Sequence, residues 1–349
     1  MSQLRLASPL VNTAASPLES LQRRANTCFP ALGAARERTA QRLAERAALL
    51  DGVDVHSHAA VVLMGSWGRH ELTTGSDDDY LVLVRGLAPH GGWGGEQETA
   101  AKVAEHFARD PGGFGAPGRQ GVFAEVVYSG DLLRVGLDDD TNTNLTRRML
   151  LVLESVAACN AQVLAGVRLD VIQDYLSDAL RDHRPPRFLL NDLVRYWRTI
   201  GVDFVAKDRD RGGAGWGLRN AKLRTSRKLL FASGLLPVLR CHALRAEQIA
   251  PFLAEQFAMP PTDRVADAFL SYDAIAHGAD ALGAYDAFLA LIDDDETRAE
   301  LQAIAGRPAA DSSPRWREVA ELGGTIERAL LALLFETELG PVTQRYAVL

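Results

Sequence analysis

Two short runs without a polar side chain, Ala59-Ala60-Val61-Val62-Leu63-Met64 and Tyr80-Leu81-Val82-Leu83-Val84, enclose Gly65-Ser66 at one end of a spacer and Asp77-Asp78-Asp79 at the other. Runs of this kind bounded by turn residues read as buried β-strands. Gly65 permits a tight turn and close approach of a ligand to backbone amides. Ser66 adds a hydroxyl, and a turn so equipped can cradle a phosphate. Ten residues separate Ser66 from Asp77, room for a short helix and a return. Strand side chains alternate, so Asp77 and Asp79 face one way and Asp78 the other. Two carboxylates at that spacing repel unless a cation lies between them. Hard divalent ions such as Mg²⁺ take oxygen ligands and keep positions open for substrate phosphates. The pairing points to metal-assisted phosphoryl chemistry, with one ion activating the attacking hydroxyl and a second neutralising the triphosphate.

A third carboxylate is expected to complete such a site. Glu125, inside Val122-Phe123-Ala124-Glu125-Val126-Val127-Tyr128, is the candidate, because a lone acid in an apolar strand is costly unless paired or bound to metal. Asp131 follows Gly130 in a turn and reads as a helix cap. Asp138-Asp139-Asp140 has no alternation with an apolar strand and reads as a turn, and Gly112-Gly113-Phe114-Gly115 lacks the Gly-Lys-Ser/Thr ending of a P-loop.

The remaining chain separates into two parts. Leu18 to Leu50 reads as helix broken at Pro30, Gly94 to Asp110 as helix, and His90 to Gly95 and Asp110 to Gly121 as glycine-rich loops. From Asn142 the pattern is almost wholly helical, with an interrupted helical stretch to Asp182 and a boundary at Pro185-Pro186. In Phe188 to Ala206 the residues Leu190, Leu193, Val194, Trp197, Ile200 and Phe204 form an apolar stripe, with Asn191, Arg195 and Arg198 on the other face. Leu218 to Ser233 reads as a basic helix stopped by Gly234. Arg187 to Lys228 carries eleven basic and four acidic residues, in a chain with 38 basic, 45 acidic and a net charge of −7. The overall balance excludes polyanion or membrane binding by bulk charge, so any such contact must be local.

At 349 residues and 47% hydrophobic the chain can bury a core and is neither a stapled scaffold nor disordered. Cys28, Cys159 and Cys241 are too few and too scattered for a disulfide framework or a zinc cluster, and the eight histidines show no metal spacing. Met1 to Arg5 begins no apolar leader, and runs such as Ala329 to Phe335 fall short of the roughly 20 residues a membrane span requires. The expectation is a cytoplasmic protein with no membrane partner.

Gly65-Ser66, the spacer and Asp77-x-Asp79 on a strand resemble the nucleotidyltransferase superfamily of DNA polymerase β. The form Gly65-Ser66-Trp67-Gly68-Arg69-His70-Glu71 is similar to its protein-PII uridylyltransferase branch. The resemblance implies an α+β fold: a palm of mixed β-sheet with flanking helices over residues 1–140, a helical nucleotide- or acceptor-binding domain over 141–340, and a flexible tail at 341–349. It implies that Asp77, Asp79 and Glu125 hold two Mg²⁺ ions, which Mn²⁺ can replace. Gly65, Ser66, Arg69 and Ser76 would contact substrate, as would Lys222, Arg224 and Ser226 on the basic helix, with Arg195 and Arg198 further candidates. The reaction implied is transfer of a nucleoside monophosphate from a nucleoside triphosphate to a hydroxyl, releasing pyrophosphate.

The motif leaves the acceptor open among another nucleotide, a protein and a tRNA, and a non-catalytic nucleotide-binding protein is the third class. The stand-alone length resembles bacterial anti-phage nucleotidyltransferases. Gly340-Pro341 followed by a lone Tyr346 near the end is similar to the Hailong-type enzymes. That resemblance implies an oligonucleotide signal, deoxyadenylate oligomers primed on Tyr346, and an effector protein encoded alongside.

Overall fold

A computed structural model describes residues 15–88, 95–108, 123–133, 140–177 and 180–348. The start Met1 to Arg5, most of the loops at 90–95 and 110–121, and Asp138-Asp139 lie outside the described residues. Both apolar runs are strands, Ala59–Met64 (β1) and Tyr80–Val84 (β2), paired antiparallel from Ala59 opposite Val84 to Leu63 opposite Tyr80. Val126–Tyr128 (β3) runs parallel to β2, with Val82 opposite Val126, and Ser155–Ala157 (β4) runs antiparallel to β1. The order is β3-β2-β1-β4. β1 and β2 are buried along their whole length, so neither shows a polar alternation.

Helices surround this small mixed sheet. Pro17–Ala25 (α1) and Pro30–Leu49 (α2) precede it, and Ser66–Arg69 (α3), Gly95–Ala108 (α4) and Ser129–Leu132 (α5) lie among its first three strands. Asn142–Leu153 (α6) and Ala161–Leu176 (α7) flank β4. Then come Arg187–Asp210 (α8), Trp216–Arg224 (α9), Ser226–Arg240 (α10), Ala246–Ala258 (α11), Pro261–Ser271 (α12) and Ile275–Asp293 (α13). Asp295–Ala303 (α14), Arg307–Ser312 (α15), Pro314–Phe335 (α16) and Gly340–Thr343 (α17) follow, and a π-helical turn occupies Gln344–Val348.

One sheet face, with Ala60, Val62, Met64, Leu81, Leu83 and Val127, joins the large core shared with the helices that follow. The other, with Val61, Leu63, Tyr80, Val82 and Tyr128, packs on Trp67, Leu72, Val103 and Phe107. Helix α4 supplies Val103 and Phe107 and makes the crossover that parallel β2 and β3 require.

Four expectations change. The interruption in the Asn142 to Asp182 stretch is a strand, so the sheet draws β4 from beyond residue 140. Helix α1 packs on the helical side, where Leu18 N donates to Asp263 Oδ1 (3.0 Å), while α2 touches both parts: Leu32 N donates to Asp286 Oδ1 (2.8 Å), and Thr39 Oγ1 accepts from Leu72 N (3.1 Å). Gly234 does not stop the basic helix. It lies inside α10, where an added Cβ would come 2.8 Å from the side chains of Leu153 and Leu193, and the break falls at Thr225 instead. The buried face of α8 is Leu189, Leu190, Asp192, Leu193 and Tyr196, rotated from the expected stripe. It turns inward around Asp192, which accepts from Tyr175 Oη (2.6 Å) and Arg148 Nη2 (3.2 Å). Among the described residues α13 alone is long and apolar enough to cross a membrane, and half of that stretch is buried in the protein.

Candidate active site

The turn after β1 is built by glycines for two different reasons. Gly65 has φ +65°, a conformation L side chains rarely adopt. At Gly68 the limit is space: a Cβ there would lie 2.0 Å from the carbonyl carbon of Glu154, because α3 rests on the backbone where α6 passes into β4. Gly68→Ala is therefore expected to destabilise the protein by about 1–3 kcal/mol through overpacking. An unchanged melting temperature would show that the two segments are not in contact.

The aspartate run is pinned at both ends. Trp67 Nε1 donates to Asp77 O (3.2 Å) and Met64 N donates to Asp79 O (2.7 Å). Asp77 and Asp79 line a cavity of about 130 Å³, while Asp78 is buried on the other side with Arg46 Nη2 at 2.6 Å from its Oδ2. The Arg46 guanidinium lies over the rings of Trp67 and Phe107. The three aspartates lie just before β2 rather than in it, and neighbouring carboxylates there reach different environments.

Gly65, Ser66, Arg69, Ser76, Lys222 and Ser226 line the same cavity as the two aspartates. The sequence reading assigned no role to Glu71, Thr73, Arg227, Tyr285, Leu289 and Ile292, which line it as well. Arg227 had a signal in its basic neighbourhood. Tyr285, Leu289 and Ile292 had none, because α13 meets the turn only in the folded chain.

Below the cavity lies a buried charge network. Glu154 has no exposed side-chain surface. It accepts from Arg69 and from Arg227 Nη1 (2.8 Å). Arg69 Nε also donates to Glu71 Oε2 (2.8 Å), as does Tyr285 Oη (2.6 Å). Burial raises the pKa of Glu71, and its single arginine does not offset that. Burial would raise Glu154 too, but Arg227 and Arg69 together hold it below the usual range. Lys222 is lowered to about 8, first by burial and then by Arg298, Arg227 and Arg69, with Asp77 opposing. The cavity therefore sets Asp77 and Asp79 opposite Lys222 and the arginines that Glu71 and Glu154 hold.

Five expected participants are elsewhere. Glu125 precedes β3 rather than lying in it, with Ala124 before it at φ +58°. Its backbone is level with Leu81, but its carboxylate is 53% exposed, sits 3.7 Å from Arg147 Nη2 and does not line the cavity. Arg195 pairs with Asp192 (2.7 Å). Arg224 donates to Asn220 Oδ1 (3.1 Å) and packs against Gly323 of α16, because residues two apart on α9 point to nearly opposite sides and Lys222 takes the cavity side. Tyr346 and Arg198 line a separate cavity along α8. Residues 341–348 are helical and docked there rather than forming a free tail.

Among the described residues no three His, Cys, Asp or Glu side chains are grouped to hold a metal. Asp77 and Asp79 nevertheless fit Mg²⁺. That ion is commonly held by one or two carboxylates, with water and substrate phosphates completing its octahedron. Among the described residues Asp77 makes no side-chain hydrogen bond or ion pair, and Glu71 Oε1 is buried at the cavity without a hydrogen-bond partner. No family model matches this chain, and no curated protein matches it.

Proposed function

We propose that the protein is a Mg²⁺-dependent nucleotidyltransferase that joins nucleoside monophosphates into an oligonucleotide. The observation that carries this reading is the single cavity in which Asp77 and Asp79 face Lys222 and Arg227 beside the Gly65-Ser66 turn. Mg²⁺ bound with the triphosphate would neutralise phosphate charge there and lower the pKa of an attacking hydroxyl. Asp77 and Asp79 orient that end of the substrate, and Ser66, Ser76, Lys222 and Arg227 hold phosphate oxygens. With the α-phosphate fixed in line with the acceptor hydroxyl, catalysis comes from positioning and charge.

A space of about 130 Å³ admits the phosphates and not a whole nucleotide, since ligand pockets run to about 300–1,000 Å³. A second cavity shares Arg227 and is walled by Phe123, Leu150, Tyr196 and Ile200. We assign sugar and base to it, with Arg227 at the junction.

Incubation with each ribo- and deoxyribonucleoside triphosphate alone, with Mg²⁺ or Mn²⁺, is expected to yield pyrophosphate and an oligomer from at least one of them. Release that needs an added protein or tRNA would move the acceptor to that class. Binding without any release would leave a nucleotide-binding partner protein. Because Tyr346 is docked away from the acids, we assign the acceptor hydroxyl to a nucleotide. Intact-mass analysis after turnover should then show no nucleotide on the protein. An adduct present in wild type and absent from Tyr346→Phe would instead make Tyr346 the primer.

A further inference from the structure

We propose that the cavity between α8 and the C-terminal turn binds single-stranded oligonucleotide. This cavity of about 420 Å³ is lined by Arg187, Asn191, Arg198, Arg345 and Tyr346, together with Leu190, Val194 and Ala347, and shares no residue with the acid cavity. Its volume is that of a ligand pocket rather than of a single inorganic ion. Arg187, Arg198 and Arg345 are exposed, and among the described residues none of them is paired with a carboxylate. Elsewhere in this acidic chain arginines are commonly paired, as Arg195 is with Asp192 one turn from Arg198.

The aromatic component is as specific as the charge. The guanidiniums of Arg187 and Arg345 lie 5.6 Å and 5.4 Å from the centroid of the half-buried Tyr346 ring. Two cations at one ring hold it in place beside positive charge. Arg187 and Arg198 are eleven residues apart on one helix, a rise of about 16 Å. That span exceeds one phosphate and suits a chain of them. Cationic groups along a groove with an aromatic side chain among them are what single-stranded nucleic acids bind, phosphates to the charges and a base to the ring. Asn191 adds an amide that can both donate and accept at a base edge.

The test does not depend on catalysis. Anisotropy of a fluorescein-labelled hexadeoxythymidylate is measured with the full chain in EDTA, without triphosphate. We expect saturable binding whose logarithm falls with the logarithm of salt with a slope of about −2, for three neutralised phosphates at ~0.7 each. Arg187→Gln with Arg198→Gln and Arg345→Gln should weaken binding at least about tenfold and flatten the slope. Tyr346→Leu should weaken it about tenfold and leave the slope unchanged. Melting curves accompany each variant. If the triple variant does not fold, Tyr346→Leu and competition in the wild-type chain decide. Absence of binding, binding indifferent to these substitutions, or displacement by tripolyphosphate as effective as by unlabelled oligonucleotide would overturn the proposal. Any of these results leaves the acid cavity's chemistry to be judged separately by pyrophosphate release.

Discussion

Replacing Asp77 and Asp79 together by asparagine should lower Mg²⁺-dependent pyrophosphate release by at least about 10³-fold, or roughly 4 kcal/mol of barrier. The fold should survive. Asp77 is exposed and Asp79 half-buried, and removing two like charges from one edge relieves repulsion. Asp78→Asn is the control for proximity. It should destabilise the chain by a few kcal/mol, because Asp78 and Arg46 are buried together and the substitution removes a charge-assisted contact from the interior. The contrast is specific: the pair Asp77 and Asp79 lowers turnover with a normal melting curve, and Asp78 between them lowers the melting temperature. Undiminished release in the double variant would remove the acids from the reaction, and the proposed function with them.

Glu154→Gln should have the largest effect on stability. Glu154 is fully buried and holds Arg69 and Arg227 at once. A neutral amide there leaves two inward-facing guanidiniums against each other, at a cost of about 3–5 kcal/mol. A fall in melting temperature of roughly 5–10 °C is the expected readout. The pH dependence has a definite sign. The folded protein holds the Glu154 pKa below its ordinary value of 4.5. Its contribution is therefore complete above that value and is lost as the pH falls through the lower, folded-state pKa. Wild type should lose stability in that acid window, and the glutamine variant should lose less. Equal melting temperatures at neutral pH would mean that Glu154 does not carry the network. Triphosphate affinity should fall with the same substitution, because Arg69 and Arg227 line the cavity that Glu154 supports.

The contrast between Asp78 and Glu154 shows what could be read in advance. Asp78 could be separated from its neighbours by counting, since residues one apart on a strand point oppositely. Glu154 could not, because it ends a helix with nothing local to mark it, and its partners lie 85 and 73 residues away in sequence. The same division separates the strands. β1 and β2 announce themselves by apolar runs bounded by turns, whereas β4 is three residues in a helix-like alanine-rich context and exists by pairing with β1. Glu125 illustrates the opposite error. A strand drawn from Val122 makes it an inward acid, and its carbonyl does accept from Val82 N of β2 (2.9 Å), but its carboxylate faces Arg147 and solvent.

Local stereochemistry was legible from residue order alone: the turn at Gly65, the two buried strands, and the opposed facing of Asp77 and Asp79 against Asp78. These depend on backbone sterics and on the two-residue period of a strand, both of which act between near neighbours. Folding decided which distant charges share a cavity. Lys222, Arg227 and Tyr285 reach the turn while Arg224 and Tyr346 do not, because the docking of helices α8, α9, α13 and α16 depends on burial of apolar surface between segments far apart in the chain. That energy is a property of the whole packing and leaves no periodic mark on any one segment.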